Sequence, residues 1–408
     1  MHNSKNITTG SYFNVNYISY VFIYLVYSSI FVFLNNYFPI LFFDVLNINR
    51  IMLAFLQFLA YSVLLLRPVL ASIIDKYKIN GYQRKYYIIF SGYIFTLIYI
   101  LMVFSITNII SFGFFLILIF LSGTMLDVST KSLIIDISPT NQSKKTSFFF
   151  IAFGQSIGKT IPLFLYLIII NDVYSIYSWN LLFITSSIFL LPLMSIIPFI
   201  REIKQEKSPI IENAEGFNSS YSNDMIDYPN FKKIFTLFCI FVFFAFSDII
   251  FVYPFFPFLL VKFGPNKFNL FNFFLIFYFL INILSGFIAT FIIKRIKPKK
   301  IILILIPIIG IIYVLYTIVD FAQFILLYFT ASSLATITNL NISVYIMKFK
   351  KGNRSIYFHV ISSFRNLSLF IFLPLGTLLS NFINTEYIIV IGAILLNFSI
   401  IPLMFIKI

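Results

Sequence analysis

Apolar runs of 18 residues or more recur along the whole of this 408-residue chain. Each is long enough, at about 1.5 Å of helical rise per residue, to cross a bilayer core of about 30 Å. This one feature removes most fold classes. No water reaches the backbone inside a bilayer, so only helices and closed barrels can span it. The short alternating segments of a membrane barrel are absent. Twelve helical spans are predicted, over residues 17–39, 51–74, 87–107, 110–134, 147–170, 178–200, 232–262, 268–293, 301–319, 321–347, 356–380 and 385–406. The chain is therefore read as an all-α polytopic membrane protein. Charged residues make up only 11% of it, against about 25% in a soluble domain, so it could not cover itself with polar surface in water.

The net charge is +15. In a soluble protein that would suggest nucleic acid. Here the cations sit in short loops, where they report topology instead. With the N-terminus placed in the cytoplasm, 22 of the 29 Lys and Arg fall on that side. The other side receives Arg50, Lys262 and Lys267 with the acids Asp44, Asp172, Asp320 and Glu386. Both termini are therefore expected to be cytoplasmic, in a plasma or organelle membrane. Cys239 is the only cysteine, so no disulfide framework forms within the chain. The first 16 residues carry no cleavage pattern. No metal-ligand cluster, nucleophile triad or phosphate-cradling glycine loop is present. A cofactor, a metal, a nucleic-acid partner and an enzymatic activity are accordingly not expected.

The polar segment 201–231 reads as a cytoplasmic linker between two six-helix halves, 1–200 and 232–408. The halves echo each other. Ala71–Asp75 precedes a basic loop, and Gly286–Thr290 precedes the basic run 294–300. Two such halves related by pseudo-symmetry are the architecture of facilitator transporters, and the chain is expected to act as a monomer.

The hairpin between the second and third spans, residues 67–87, carries the sharpest motif. Arg67-Pro68, Ala71, Asp75, Gly81-Tyr82, the basic Arg84-Lys85, Tyr87 and Ser91-Gly92 follow one another. Together they resemble the folate–biopterin transporter family of the major facilitators, with Arg67 for that family's Lys, Ala71 for its Gly and Gln83 for a third cation. Two other stretches are similar to it. Asp127-Val128 fits the fourth span, with Lys131 where the family has a second acid. Ser363, Asn366, Leu367 and Gly376 fit the eleventh. The resemblance implies a twelve-helix alternating-access transporter of folates or pterins. It also implies that Asp75, Gly81, Arg84 and Lys85 form a conformational gate.

Ionisable side chains in the hydrocarbon region cost about 2.5–3.5 kcal/mol on insertion scales, so they usually pair or line a cavity. Six fall inside predicted spans: Arg67, Asp127, Lys131, Lys159, Asp248 and Arg365. Asp127 and Lys131 are four apart, on one helix face. Gln155 and Lys159 share another face, with Gly154 and Gly158 beside them to allow close helix approach. Arg365 and Asn366 lie in a polar run, and a guanidinium can grip a carboxylate with two parallel hydrogen bonds. Asp248 precedes the Pro254 and Pro257 kinks. Lys131, Lys159, Arg365, Gln155 and Asn366 are the candidate solute-binding residues, and Asp127 and Asp248 the candidate proton-coupling acids. Arg67 reads as an interfacial anchor within snorkelling reach of the cytoplasm, and His359 as an interfacial polar residue. Four cations against two acids favour an anionic or zwitterionic organic solute. Other small solutes (a muropeptide, amino acid or sugar), a transport-dead receptor, and a channel or scramblase are the alternatives.

Overall fold

The computed structural model describes residues 9–38, 41–42, 46, 48–105, 108–137, 141–170, 175–202, 238, 258–259, 261–275, 277–347, 354–380, 382–398 and 400–405. In the first half, α1 (Thr9–Val32) runs on through a π-helical turn (Phe33–Tyr37). Next, α2 (Arg50–Ser62) joins α3 (Arg67–Lys76) through a 3-10 turn (Val63–Leu66). Then come α4 (Lys85–Val103), α5 (Ile109–Ile137), α6 (Asn141–Ile169) and α7 (Ile176–Met194). The second half contains α8 (Pro265–Leu275), α9 (Tyr278–Arg295), α10 (Pro298–Leu315), α11 (Phe321–Met347), α12 (Arg354–Leu379), α13 (Thr385–Phe398) and α14 (Ile400–Phe405). No strand occurs among the described residues.

Helices overlap the stretches read as spans except the seventh, 232–262, which lies almost wholly outside the described residues, as does the linker beyond Glu202; the eighth, 268–293, is divided between α8 and α9. Among the described residues, five helical stretches are both long and apolar enough to cross a membrane: Ile51–Lys76, Lys85–Val103, Ile109–Ile137, Thr146–Ile169 and Phe321–Asn339. Their outward faces carry exposed Phe90, Leu97, Phe114 and Ile168, side chains that water would reject and lipid accepts.

Local chemistry sets the boundaries. Asn49 caps α2, its side chain accepting from the Ile51 amide at 2.9 Å. Asp320, the single charge between the ninth and tenth spans, caps α11 by accepting from the Gln323 amide at 2.8 Å. Between α3 and α4 the chain turns on Asn80 (φ +52°) and Gly81 (φ +82°). Ile79 and Tyr82 exchange two backbone bonds of 2.9 Å across that turn. Two successive positive φ values mark a type I′ hairpin, which Asn-Gly forms most readily.

Within the first half, α1 and α6 cross at their backbones. A Cβ at Gly154 or Gly158 would overlap the carbonyl oxygens of Val21 and Leu25. Ser29 seals the crossing by donating to the Gly158 carbonyl at 2.7 Å. The π-helical turn at the end of α1 buries Tyr37 in a stack with Tyr166, 4.9 Å between ring centres. Among the described residues, two seams join the helices up to α7 to those from α8 on. In one, α6 meets α8 and α9, with Phe149 against Phe287 at 5.1 Å. In the other, α12 lies along α2 and α3.

Candidate functional site

The polar run of α5, residues 122–132, holds the centre of the site. Most of its hydroxyls turn inward on their own helix. Ser122, Thr124, Ser129 and Thr130 each donate to the carbonyl four residues earlier, at 2.9, 2.6, 2.7 and 2.8 Å. That leaves Asp127, Lys131 and Ser132 to reach neighbouring groups.

Three donors converge on the Asp127 carboxylate. Tyr24 of α1 donates to Oδ1 at 2.6 Å. Lys131, one turn on, stands 2.9 Å from Oδ1 and 3.0 Å from Oδ2. Arg67, at the start of α3, places Nη2 2.6 Å from Oδ2 and also hydrogen-bonds Tyr27. The i,i+4 pairing of Asp127 with Lys131 is thus as expected, but the reading of Arg67 as an interfacial anchor is corrected. Arg67 is buried and ion-paired across helices. The reason is local: Pro68 sits in the first turn of α3, after a 3-10 turn, and this break aims residue 67 at α5 rather than along the helix to the surface.

Two cations on one acid give the cluster a net positive charge. Charge removed from water is costly unless it is balanced, so the cluster favours the approach of an anion. Lys131 is the member best placed to meet one. Its side chain is 18% exposed, against 9% for Arg67 and 2% for Asp127.

The second half meets this cluster along α12. His359 is buried and lies 3.1 Å from the Ser132 hydroxyl through Nε2. It is therefore a seam residue rather than an interfacial one. Seven residues further, Asn366 donates to the Leu64 carbonyl at 3.0 Å. Thr377 donates to Gln57 Oε1 at 3.0 Å. Phe370 packs on Phe58 between these levels, 4.3 Å between ring centres. Spacings of seven and eleven residues return to one helix face, so this stripe of α12 is bonded to the first half at three heights. In the second half, Asn282 Oδ1 accepts from Thr336 and, at 3.4 Å, from Ser332. That cluster carries no formal charge.

The remaining sequence candidates fall elsewhere. Lys159 is exposed on α6 and Gln155 is half-buried one turn before it. Arg365 belongs to α12, but its side chain lies outside the described residues, and so does the whole of Asp248. Asn366 is held at the seam by the backbone of residue 64.

At the ends of α3 and α5 away from this cluster the hairpin motif forms a compact ionic unit. Arg84 is buried and pairs with Asp75 and, at 3.0 Å, with Asp136 at the end of α5. Gln83 donates to the Asp75 carbonyl at 3.1 Å. Glu202 accepts from the amides of Gln83, Arg84 and Lys85 at 3.1, 3.0 and 2.7 Å, capping the N-terminus of α4. Residue 201 is held in turn by Asn16, whose side chain exchanges two 2.9 Å bonds with the Arg201 backbone. Lys85 lies over the Tyr82 ring, 5.6 Å from its centre.

Residues 162–372, just over half of the chain, match the Major Facilitator Superfamily. The chain belongs to that superfamily. No curated protein matches the sequence. As a facilitator it is an integral, multi-pass membrane transporter of small solutes, not an enzyme.

Proposed function

We propose that this facilitator is a twelve-helix secondary transporter, with both termini cytoplasmic, that carries an anionic or zwitterionic organic solute by alternating access. The observation that carries the reading is the buried Arg67–Asp127–Lys131 cluster, with two cations on one acid and Lys131 its most accessible member. A solute carboxylate takes Lys131, and Asp127 keeps Arg67 and Tyr24. Folate, with an acidic tail and a flat ring, is the first solute to test, since the hairpin motif resembles folate–biopterin transporters. Lys159, Gln155, Arg365 and Asn366 are proposed to complete the path. Asp127 and Asp248 are proposed as the proton-coupling acids, with a proton replacing the solute's share of charge. Asp75, Gly81, Arg84 and Lys85 are proposed as the gate that opens when the halves move.

The test is uptake into proteoliposomes of radiolabelled folate, a pterin, amino acids and sugars, with and without an imposed pH gradient. The reading expects saturable uptake of an acidic solute, lost in Lys131→Ala. Preference for neutral sugars, or uptake indifferent to Lys131, would overturn the substrate class. Uptake indifferent to the gradient, and to Asp127→Asn and Asp248→Asn, would remove the proton.

A further inference from the structure

The second span has a defect at its middle, and the other half of the protein docks on it. In a continuous α-helix the amide of residue 68 would return to the carbonyl of residue 64. Residue 68 is a proline and has no N–H to return. The chain answers with the 3-10 turn Val63–Leu66 before α3 resumes at Arg67. Leu64 is buried, so its carbonyl cannot look to water for what Pro68 withholds. Asn366, buried on α12, donates to it at 3.0 Å. The Asn366 side chain thus stands in, from the other half of the molecule, for an amide the second span lacks.

The position of this contact matters. Leu64 is three residues before Arg67, one turn of the same 3-10 segment that delivers Arg67 to Asp127. Asn366 also sits midway along the bonded stripe, seven residues after His359 and eleven before Thr377. A contact at the middle of a seam is made when that stretch is shut, so it weights the equilibrium toward the shut seam.

We propose that Pro68, the Leu64 carbonyl and Asn366 form an interlock: the proline removes the i→i−4 donor to Leu64, leaving that carbonyl at most the weaker bond of the 3-10 turn, and seam closure supplies Asn366 in its place, so that Asn366 biases the halves toward closure and positions the turn bearing Arg67. Asn366 is then a positioning residue acting through the backbone of residue 64. The interlock operates whichever solute is carried.

A double-mutant cycle tests it. The Pro68→Ala substitution restores the i→i−4 amide, so the Leu64 carbonyl is served within its own helix. Cysteines at 58 and 370, whose rings now lie 4.3 Å apart, report seam closure by disulfide formation in a Cys239→Ser background. Interhelical hydrogen bonds in membranes shift equilibria by about threefold on average and by less than about twentyfold at most. Asn366→Leu is expected to lower the cross-linked fraction about threefold when Pro68 is present. In Pro68→Ala it should change that fraction by less than about half as much. If Asn366→Leu does not accumulate, Asn366→Ser, a donor too short to reach residue 64, serves in the same cycle. An equal effect of the Asn366 change in both backgrounds would overturn the interlock, because a merely packed asparagine is indifferent to residue 68. No effect in either background would overturn it as well.

Discussion

Gly158 makes the most demanding prediction of the fold. A methyl group there would overlap the Leu25 carbonyl oxygen and would stand 2.9 Å from the Leu25 Cα and carbonyl carbon, where ordinary contact begins at 3.4 Å. The obstruction is backbone on a second helix, so no rotamer change relieves it, and α1 and α6 must part. Overpacking of this kind costs about 1–3 kcal/mol. Separation also breaks the Ser29 bond to the Gly158 carbonyl, and an interhelical bond in a membrane contributes about 0.6 kcal/mol. Set against the helical preference of Ala, about 0.5–1 kcal/mol, Gly158→Ala is expected to destabilise the protein by about 1–3 kcal/mol. Gly286 supplies the matched control. It is buried in α9, yet a Cβ there meets nothing within 4 Å. Gly286→Ala should be neutral, or stabilising by the helical preference of Ala, about 0.5–1 kcal/mol. Unfolding by SDS titration in mixed micelles reads both. A backbone crossing at Gly158 is refuted if Gly158→Ala unfolds within about 0.5 kcal/mol of the parent, well under the overpacking range, or if Gly286→Ala costs as much.

Two further perturbations probe the charged groups. Removing Arg67 alone, as Arg67→Met, takes from the buried Asp127 its 2.6 Å partner but leaves it Lys131 and Tyr24, and should cost about 1.5–3 kcal/mol. The double variant Arg67→Met/Asp127→Leu should recover part of that loss, and additive losses in the same unfolding assay would show that the pair is not coupled. Glu202→Ala removes the acceptor shared by three amides at the start of α4 and should cost about 1 kcal/mol. Hydrogen exchange should quicken at residues 83–85 while the amides of α5 are unchanged. Unaltered exchange at 83–85 would contradict the cap.

The fold was legible where one dimension suffices. Helix positions follow from apolar length, the turn between α3 and α4 from Gly81, and the start of α11 from Asp320, each a local matter of a few residues. The Asp127–Lys131 pair was legible for the same reason, since helical spacing brings the two together. Arg67 was misread because its distance from the basic hairpin along the helix was plain, whereas the turn that swings it to a residue 60 positions later is tertiary. Pro68 was the available signal. Tyr24 gave none: it is one tyrosine among 26, chosen only by the approach of α1 to α5. His359 looked like an interfacial polar residue, and nothing in the sequence marked Thr377, until α12 was laid along α2 and α3. The glycines at 154 and 158 announced a close approach, while the helix they approach is set by the bundle.

The central claim is that the Arg67–Asp127–Lys131 cluster recognises an acidic group of the solute. Calorimetric titration of the purified protein with folate, and with a pterin lacking the acidic tail, tests it most directly when repeated on Lys131→Gln, which leaves Arg67 and Tyr24 on Asp127. A lost charge-assisted contact of about 1.5–3 kcal/mol predicts folate binding weakened by at least about tenfold in Lys131→Gln, with pterin binding weak and the same in both proteins. Folate binding unchanged by the substitution, or a pterin that binds as tightly as folate, would contradict it.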